Sequence, residues 1–589
     1  MNRFNLKVFK RLWRLIKPYW TSNEKWGAIA ILLLLLLLTL AYTFISVAIT
    51  RFQGDLISAL SQLDRERFMK TIWMFLAVLI FYVPISATAE YLQGRLSNYW
   101  RRWMTYDFIG RYLGNRSFYQ LGNFNTELDN PDQRIAEDIK SFTEESLSFF
   151  LVIFNAIFKV IGFTALIWNI PPRVTVFELA NPVSIFGLQI ARLAPSILVV
   201  FLIGYLTIGT FLTIFVFGRK LVGINYQQLR KEANFRFGLV RIRENAESIA
   251  FYRGERQEAR NLQQLFGSVF DNYNSLIFWQ NLLLGIFTAA YDNIPIILPA
   301  VVVAPSILAG EIEVGKVREA QAAFVQFFFA INIIVSRFQY WTAFIAGIDR
   351  LYYLQQYLER NRRSHDDELA KSTINTIRQN KLALDRVTLK TPNYQRTLVK
   401  DLSFDLPNGR GLLITGASGC GKSSLLRAIA GLWDSGTGTI YRPDLAQVFF
   451  LPQKPYMVMG TLRSQLAYPY DDAELEEDKL LDALKEVNLP DLAERSGGFD
   501  TEQDWDEILS LGEQQRLAFA RVLISQPSYV VLDEATSALD IANEANLYQH
   551  LLNRKTTFVS VGHRPSLVQY HQLQLEMKPG EDWHLRAAK

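Results

Sequence analysis

A run of small residues ending in lysine and serine is the segment of the chain best suited to bind phosphate. Residues 416–423 read GASGCGKS, which fits G-x-x-x-x-G-K-[ST], between a strand-like run, GLLIT, and a helix-like run, SSLLRAIAGL. Glycines in such a loop let backbone N–H groups close around phosphate at a helix N-terminus. We expect Lys422 to neutralise β- and γ-phosphate charge and Ser423 to bind Mg²⁺. The residues predicted to hold the nucleotide here are Gly416, Ala417, Ser418, Gly419, Cys420, Gly421, Lys422, Ser423 and Ser424.

Two carboxylates stand at the end of a second apolar run, YVVLDE, at residues 529–534. A carboxylate at the tip of a strand can hold hydrated Mg²⁺, the role predicted for Asp533. A second can orient or deprotonate an attacking water, the role predicted for Glu534. Many strands end in acidic residues, so the pair alone is a weak signal. About 110 residues after a phosphate-binding loop it is a strong one, and the two segments together predict an ATPase that uses ATP and Mg²⁺.

Between these segments, residues 509–516 read LSLGEQQR and lead into a helical pattern. The segment resembles the signature motif of ATP-binding cassette (ABC) ATPases, whose usual form is LSGGQ. Leu511 replaces the first glycine and Glu513 replaces the glutamine, whereas Ser510 and Gly512 are retained. The resemblance implies that Ser510, Gly512 and Glu513 belong to the nucleotide site, with the serine hydroxyl directed at the γ-phosphate.

Two further residues occupy the places of catalytic groups in that family. Gln453 in FLPQKPYM resembles the Q-loop glutamine, and His563 in FVSVGHR resembles the switch histidine. The resemblance implies that both act in catalysis with Glu534 and that Gln453 also binds the metal. A single histidine after a strand is more often structural, but five motifs in family order favour the catalytic interpretation.

The nucleotide site is completed by two less specific resemblances. Residues 537–540 (SALD) resemble the D-loop, which implies that Asp540 lies at the nucleotide. The usual place of the aromatic residue that stacks on adenine is occupied by Thr391. Tyr394 is therefore the candidate for the adenine contact.

The first half of the chain is apolar on a scale that indicates membrane insertion. Half of the 589 residues are hydrophobic, only 20% are charged, and residues 27–49 carry no charge at all. A helix of that length crosses the hydrocarbon core of a bilayer, about 30 Å thick, and is too long for a secretory signal peptide. Six spans are predicted, near residues 27–49, 72–92, 147–169, 195–217, 276–304 and 319–345.

Lysine and arginine predict the orientation of these spans, because they concentrate on the cytoplasmic side. The predicted cytoplasmic segments rich in them are 1–26, 93–146 and 218–275, whereas the predicted outer loops near 50–71, 170–194 and 305–318 hold far fewer. The ATP motifs then lie in the cytoplasm. Residues 4–20 are amphipathic, which favours a helix in the membrane interface over an ordinary surface helix. The net charge of +5 does not favour nucleic acid, and the single cysteine, Cys420, excludes an intrachain disulfide.

These patterns predict a membrane α-helical domain of six transmembrane helices, similar to type I exporters, followed by an α/β P-loop cassette. From about residue 350 the sequence first becomes rich in charged residues. It then shows short β-rich runs that alternate with helical patterns. The predicted divisions are an interfacial elbow helix at 1–26, the transmembrane domain at 27–349, a linker at 350–380 and the ATP-binding cassette at 381–589.

Two segments of the membrane half indicate a branch of the ABC family. Residues 128–139 (LDNPDQRIAEDI) and 247–256 (ESIAFYRGER) resemble segments of the peroxisomal-type subfamily D half-transporters and of their bacterial relatives that take up peptides and vitamin B12. In the family, ATP is held between the P-loop of one cassette and the signature serine of another. With one cassette per chain, the resemblance implies a homodimer. We expect a bacterial-type plasma (inner) membrane.

The cargo is open at this point, and so is the direction of transport. Asp292 and Arg337 fall inside predicted spans, where an ionisable group is costly unless it faces water or a partner. Either they line a hydrophilic cavity or they pair with each other. The cargo is a small molecule or peptide, cobalamin-like or peptide-like on one hand and acyl-CoA-like or lipid-like on the other. The alternative in another class is a non-transporting ABC ATPase or an ATP-gated channel.

Overall fold

The computed structural model divides into two compact units, Met1–Arg362 and Arg363–Lys589. The residues that it describes are 6–124, 131–168, 178–185, 188–192, 204–205, 207–209, 211–310, 312–336, 338–367, 374–392, 394–470, 475–578 and 582–588. Arg337, about half of the predicted outer loop at 170–194 and about half of the predicted span at 195–217 lie outside this set.

The described part of the first unit is almost entirely helical. A hairpin of two antiparallel strands, β1 (Glu178–Ile185) and β2 (Leu188–Arg192), is its only described β-structure. Short π-helical segments precede α6, α7 and α10. The helices are α1 (Leu6–Trp20), α2 (Lys25–Ser61), α3 (Arg65–Leu113), α4 (Ser117–Phe124), α5 (Pro131–Gln133), α6 (Ile139–Trp168), α7 (Arg219–Glu244), α8 (Ala246–Tyr252), α9 (Glu255–Ile277), α10 (Gly285–Leu308), α11 (Gly315–Ser336) and α12 (Phe338–Asp367).

Three helices in the described part of the chain are long and apolar enough to cross a membrane. They are Lys25–Ser61, Arg65–Leu113 and Pro131–Ile167. They contain the first three spans predicted from the sequence. The helices extend well beyond the apolar runs because polar residues at their ends continue the helical pattern, and Asp64 begins α3 by accepting a hydrogen bond from the Arg67 N–H.

The amphipathic N-terminal helix turns most of its apolar face towards protein. Leu15 and Tyr19 are buried in a cluster with residues of α2, α3 and α12, and Tyr19 stacks on Trp100 with ring centroids 5.6 Å apart. Arg11 pairs with Asp349 on the side of α1 that faces α12. Most of the apolar residues at 4–20 therefore pack against other helices of the protein.

Much of the predicted linker at 350–380 lies in regular secondary structure. Helix α12 runs to Asp367, and strand β3 begins at Asn375. The charged sequence around residues 359–367 is thus helical, because charged residues with straight side chains form helix well.

The second unit contains a mainly parallel sheet and a smaller mixed one, in which β3 and β7 pair in parallel and the other neighbours are antiparallel. The six-stranded sheet has the order β14-β13-β6-β12-β11-β8, and all its neighbours are parallel except β13 and β14. The four-stranded sheet has the order β3-β7-β4-β5. The strands are β3 (Asn375–Arg378), β4 (Leu382–Lys390), β5 (Thr397–Leu406), β6 (Gly411–Gly416), β7 (Gly436–Arg442), β8 (Val448–Leu451), β9 (Gly460–Thr461), β10 (Glu502–Gln503), β11 (Tyr529–Asp533), β12 (Thr557–Val561), β13 (Leu573–Met577) and β14 (Trp583–Ala587).

The central strands of the larger sheet are buried on both faces, which explains their continuous apolar sequences. One face packs on a cluster that includes Trp505 and Phe519, and the other on a cluster that includes Phe404 and Leu425. The helices of this unit are α13 (Lys422–Ile429), α14 (Leu462–Ala467), α15 (Glu477–Glu486), α16 (Leu492–Arg495), α17 (Trp505–Ile508), α18 (Leu511–Ser525) and α19 (Ile541–Asn553).

Candidate nucleotide-binding and hydrolysis site

The sequence motifs meet at one edge of the six-stranded sheet. Neighbouring strands β6, β12, β11 and β8 run parallel, so their carboxyl ends lie side by side. The phosphate loop follows β6, His563 follows β12, Glu534 follows β11, and Gln453 follows β8. Ligands of open α/β sheets bind outside such carboxyl ends. The topology thus brings together four segments that span more than a hundred residues of sequence.

The phosphate loop has the predicted strand–loop–helix context. It connects β6 to α13, and the Lys422 Nζ donates to the carbonyl oxygens of Gly416 and Ala417 at 2.9 and 3.0 Å. Gly416 has a φ of 148°, and a Cβ there would lie 2.3 Å from the Met577 carbonyl oxygen. Only glycine fits this position. The Lys422 ammonium is therefore held at the phosphate loop, next to the backbone N–H groups at the start of α13.

Ser423 and Asp533 come together beneath that loop. The serine hydroxyl donates to the Asp533 carboxylate at 3.4 Å, although 110 positions separate the two. Burial raises the pKa of Asp533, the hydrogen bond from Ser423 opposes this, and the nearby charge of Glu534 raises the pKa further. A hydroxyl and a carboxylate are oxygen ligands of the kind that Mg²⁺ takes, so the residues present fit that ion.

Both of the other predicted catalytic residues contact the Glu534 carboxylate. The Gln453 Nε2 donates to one carboxylate oxygen at 3.0 Å, and the His563 Nε2 lies 3.4 Å from the other. Glu534 itself has a φ of 49°, a left-handed conformation that is strained for a non-glycine residue. A backbone hydrogen bond from its N–H to the Val561 carbonyl oxygen, 3.1 Å long, holds it at the strand end.

The signature segment begins helix α18. Ser510 is the N-cap, and it forms a capping box with Glu513 in which the Ser510 backbone N–H and hydroxyl donate to the Glu513 carboxylate at 2.9 and 2.8 Å. Arg495 forms an ion pair with the same carboxylate. Burial opposes ionisation of Glu513, but the hydrogen bonds from Arg495 and Ser510 outweigh it and lower the pKa of this glutamate. The carboxylate thus acts as a glutamine would in the capping box, with Arg495 balancing its charge.

Gly512 faces the predicted D-loop. A Cβ on this residue would lie 3.2 Å from the Ala538 carbonyl oxygen. The close approach explains why glycine is retained here while Leu511, which is exposed, has changed.

Two residues that the motifs do not single out connect these loops. Gln515 is buried, and its side chain donates to the Gln453 carbonyl oxygen at 3.0 Å and accepts from the Ala538 N–H at 3.1 Å. Arg564 donates to the carbonyl oxygens of Ser537 and Leu539 at 2.8 and 2.7 Å. Position was the only available signal: Gln515 follows the signature motif, and Arg564 follows His563.

Three of the residues predicted to contact the nucleotide have neighbours that do not by themselves indicate a nucleotide site. Asp540 caps α19 by accepting from the Asn543 N–H at 2.7 Å, and that hydrogen bond lowers its pKa. Cys420 is 7% exposed and its side chain lies in a hydrophobic cluster. Tyr394 lies in the turn between β4 and β5, half-exposed, with a φ of 57°. Their predicted nucleotide contacts stay predictions.

Asp292 lies on α10 of the helical unit. Its Oδ1 is buried and has no hydrogen-bond partner among the residues that the structure describes. The expected pairing with Arg337 falls outside those residues, so the choice between cavity lining and ion pair stays open.

Comparisons with known proteins agree with both units. Residues 15–308 match the family model described as ABC transporter transmembrane region 2, and residues 399–537 match the one described as ABC transporter. An uncharacterised ABC transporter ATP-binding protein of Synechocystis is 45% identical over 90% of this chain and 77% of its own length. The chloroplastic ABC transporter D family member 2 of Arabidopsis thaliana is 37% identical over 98% of this chain and 86% of its own.

A third relative, the lysosomal cobalamin transporter of Mus musculus, is 30% identical over 100% of this chain and 97% of its own length. The similarity therefore covers the membrane part and the cassette together. It agrees with the branch indicated by the two membrane-half segments. The chain belongs to the ABC transporter family, in the group that includes subfamily D and bacterial relatives, and it is an ATPase that drives transport across a membrane.

Proposed function

We propose that two copies of this chain form a homodimeric transporter whose ATP hydrolysis depends on Glu534. The convergence of Gln453 and His563 on this carboxylate, beside the Ser423–Asp533 pair, is the observation that carries the proposal. The Glu534 carboxylate orients and deprotonates the attacking water. The Gln453 amide and the His563 imidazole hold that carboxylate in place, and His563 also contacts the γ-phosphate.

The other residues of the site bind and orient the substrate. The P-loop backbone N–H groups and Lys422 bind the phosphates of ATP. Ser423, Asp533 and Gln453 would hold Mg²⁺, which would supply positive charge at the phosphates of ATP. Tyr394 stacks on adenine from the turn between β4 and β5 of the smaller sheet. Strand β5 of that sheet supports this placement, because a Cβ on Gly421 would lie 3.1 Å from the Leu398 Cβ.

The second copy completes each site. Ser510, Gly512 and Glu513 of one protomer face the γ-phosphate held by the P-loop of its partner, and Asp540 borders the same junction. The exposure of Ser510 and Leu511 at the start of α18 supports this arrangement. The N-terminus of a helix is a favourable neighbour for phosphate.

For the membrane domain, we infer six spans per chain with an exporter-type arrangement. The three long apolar helices support the first half of the count, and α10 and α11 correspond to two of the later predicted spans. With an even number of spans and a cytoplasmic N-terminus, the cassette lies on the cytoplasmic side of a bacterial-type inner membrane. A relative described as an inner membrane ABC transporter ATP-binding protein of Escherichia coli, 27% identical over 94% of this chain, supports that membrane.

The cargo class is tested by a transport screen. Purified protein in liposomes is supplied with cobalamin, a cationic peptide or an acyl-CoA, and ATP-dependent accumulation and ATPase stimulation are measured together. We expect one of these to accumulate in an ATP-dependent manner. The similarity to a cobalamin transporter favours including cobalamin. If ATP is hydrolysed at a steady rate while none of the three moves, a regulatory ATPase or a channel becomes the better description.

A further inference from the structure

A cluster of polar side chains lies between three helices of the membrane domain. Lys159 and Asn155 are one turn apart on α6, so they share a face of that helix. The Lys159 Nζ donates to the Gln326 Oε1 on α11 at 3.2 Å and lies 5.8 Å from the Tyr42 ring centroid on α2. The side-chain Oδ1 of Asn155 accepts from the Thr43 hydroxyl at 3.2 Å.

Lys159 lies near the middle of its span. The apolar stretch predicted from the sequence runs from 147 to 169, so about ten residues, or roughly 15 Å, separate Lys159 from either end. A charged ammonium at that depth is unfavourable unless it faces a partner or water. No carboxylate pairs with it among the residues that the structure describes; its contacts there are a neutral amide and an aromatic ring.

The surroundings of Lys159 offer positive charge and hydrogen-bond donors. An ammonium has three N–H donors, of which Gln326 takes one. The hydroxyls of Tyr42 and Tyr82 are 2.9 Å apart on stacked rings, and the Tyr42 ring is the one that lies 5.8 Å from the ammonium. Lys159, Tyr42 and Tyr82 are all only partly buried.

We propose that Lys159, with Asn155, Gln326 and the Tyr42–Tyr82 pair, binds an anionic group of the cargo, a carboxylate or a phosphate. Charge-assisted hydrogen bonds from an ammonium to such oxygens are short and strong where water is excluded. This inference rests on the proposed transport function, whose cargo class it narrows.

The test is direct binding with probes that differ only in charge. Radiolabelled dodecanoate, dodecyl phosphate and dodecanamide are bound to the full-length protein in nanodiscs, and binding to empty nanodiscs is subtracted. The carboxylate and phosphate arms distinguish the two sources of negative charge. We expect at least one anionic probe to bind about tenfold more tightly than the amide, the factor that one charge-assisted hydrogen bond supplies.

Variants then assign the effect to Lys159. Lys159→Met should reduce anionic binding about tenfold and leave amide binding unchanged, and Lys159→Arg should retain most of it. Lys140→Met is the matched control, because Lys140 is exposed on the same helix outside the predicted span. If Lys159→Met fails to fold, Gln326→Leu, which alters the setting of the ammonium, is measured instead and should weaken anionic binding alone.

Failure of the anionic probes to exceed the amide would overturn the proposal, as would equal losses for all three probes in Lys159→Met. The loss of the dimer in Lys159→Met with anionic binding intact would overturn it too, since the ammonium would then serve the subunit contact. A wild type that binds anions through Lys159 but moves no cargo with ATP would contradict the proposed function and leave this site standing.

Discussion

The Gln515 Nε2 lies 3.0 Å from the carbonyl oxygen of Gln453. This hydrogen bond connects the signature helix to the loop that presents Gln453 to Glu534. The same side chain accepts from the Ala538 N–H at 3.1 Å. Gln515 is buried, so both contacts are shielded from water. The relative positions of three loops therefore depend on one amide.

Replacing that amide should slow hydrolysis more than it weakens ATP binding. Gln515→Leu removes these two hydrogen bonds and a third to the Ser537 hydroxyl. We expect kcat to fall about tenfold, the equivalent of about 1.4 kcal/mol, with KM for ATP changed little. Gln514→Leu is the matched control, because that buried neighbour contacts only Asp506 and Leu509. Equal loss of activity in both variants would show that the effect is general destabilisation.

Arg495 and Glu513 should show energetic coupling. Arg495→Ala leaves the half-buried carboxylate without its cation, and Glu513→Gln removes the need for one. We expect the double variant to be more stable than Arg495→Ala alone, with a coupling energy of about 1 kcal/mol because the pair is partly exposed. Thermal unfolding of the four proteins measures this cycle. Strictly additive effects would mean that Arg495 does not balance the charge in the signature motif.

The cross-chain site predicts that the arrangement of two substitutions matters. Ser510→Ala on one protomer should impair the site whose P-loop belongs to the partner, and Lys422→Ala should impair the site on its own protomer. In mixed dimers, both changes on one subunit disable two sites, whereas one change on each subunit disables a single site twice. ATPase rates of tagged, purified heterodimers report the difference. Identical rates would remove the support for a composite site.

The ion pair between Arg67 and Glu313 in the helical unit predicts how the stability of the protein depends on pH. Arg67 pairs with Glu313 at 2.9 Å, and its hydrogen bond lowers the pKa of Glu313 to about 2. A lowered folded-state pKa stabilises the fold above the unfolded value, about 4.3. That stabilisation is lost as the pH falls from there towards 2. The Tm difference between wild type and Glu313→Gln should therefore be the same at pH 7 and pH 5, and shrink below about pH 4. A difference that vanished already between pH 7 and pH 5 would contradict this pairing.

The sequence predicted the cassette well because its motifs are local. Strand β6, the helix after Lys422 and strand β11 follow from short patterns, and the structure confirms all three. The contacts of Gln515, Arg495 and Arg564 could not be predicted, since each depends on which loops the parallel sheet brings together. Amphipathicity at residues 4–20 predicted a helix correctly, but it could not tell burial against protein from burial in lipid.

In the membrane half, the sequence predicted the first spans better than the later ones. Hydropathy located the first three spans because they are long and nearly free of charge, and the structure has long apolar helices there, α2, α3 and α6. The later stretches are interrupted by polar residues, so their bounds could not be predicted closely. Helix α11, for example, begins at Gly315 with charged residues in its first turns. The sequence alone assigns no role to Lys159. The role of a single lysine in an apolar run depends on the residues that pack around it.

Steady-state ATP hydrolysis by Glu534→Gln in liposomes tests the central claim most directly. The amide keeps the size of the side chain and its contacts with Gln453 and His563 but cannot accept a proton from water. We expect hydrolysis and ATP-driven cargo movement to fall together by at least about a hundredfold, with ATP still bound. Glu507→Gln, the same change at an exposed position of the cassette, should leave both unchanged. Hydrolysis by Glu534→Gln at the wild-type rate would contradict the role assigned to Glu534 and the mechanism built on it.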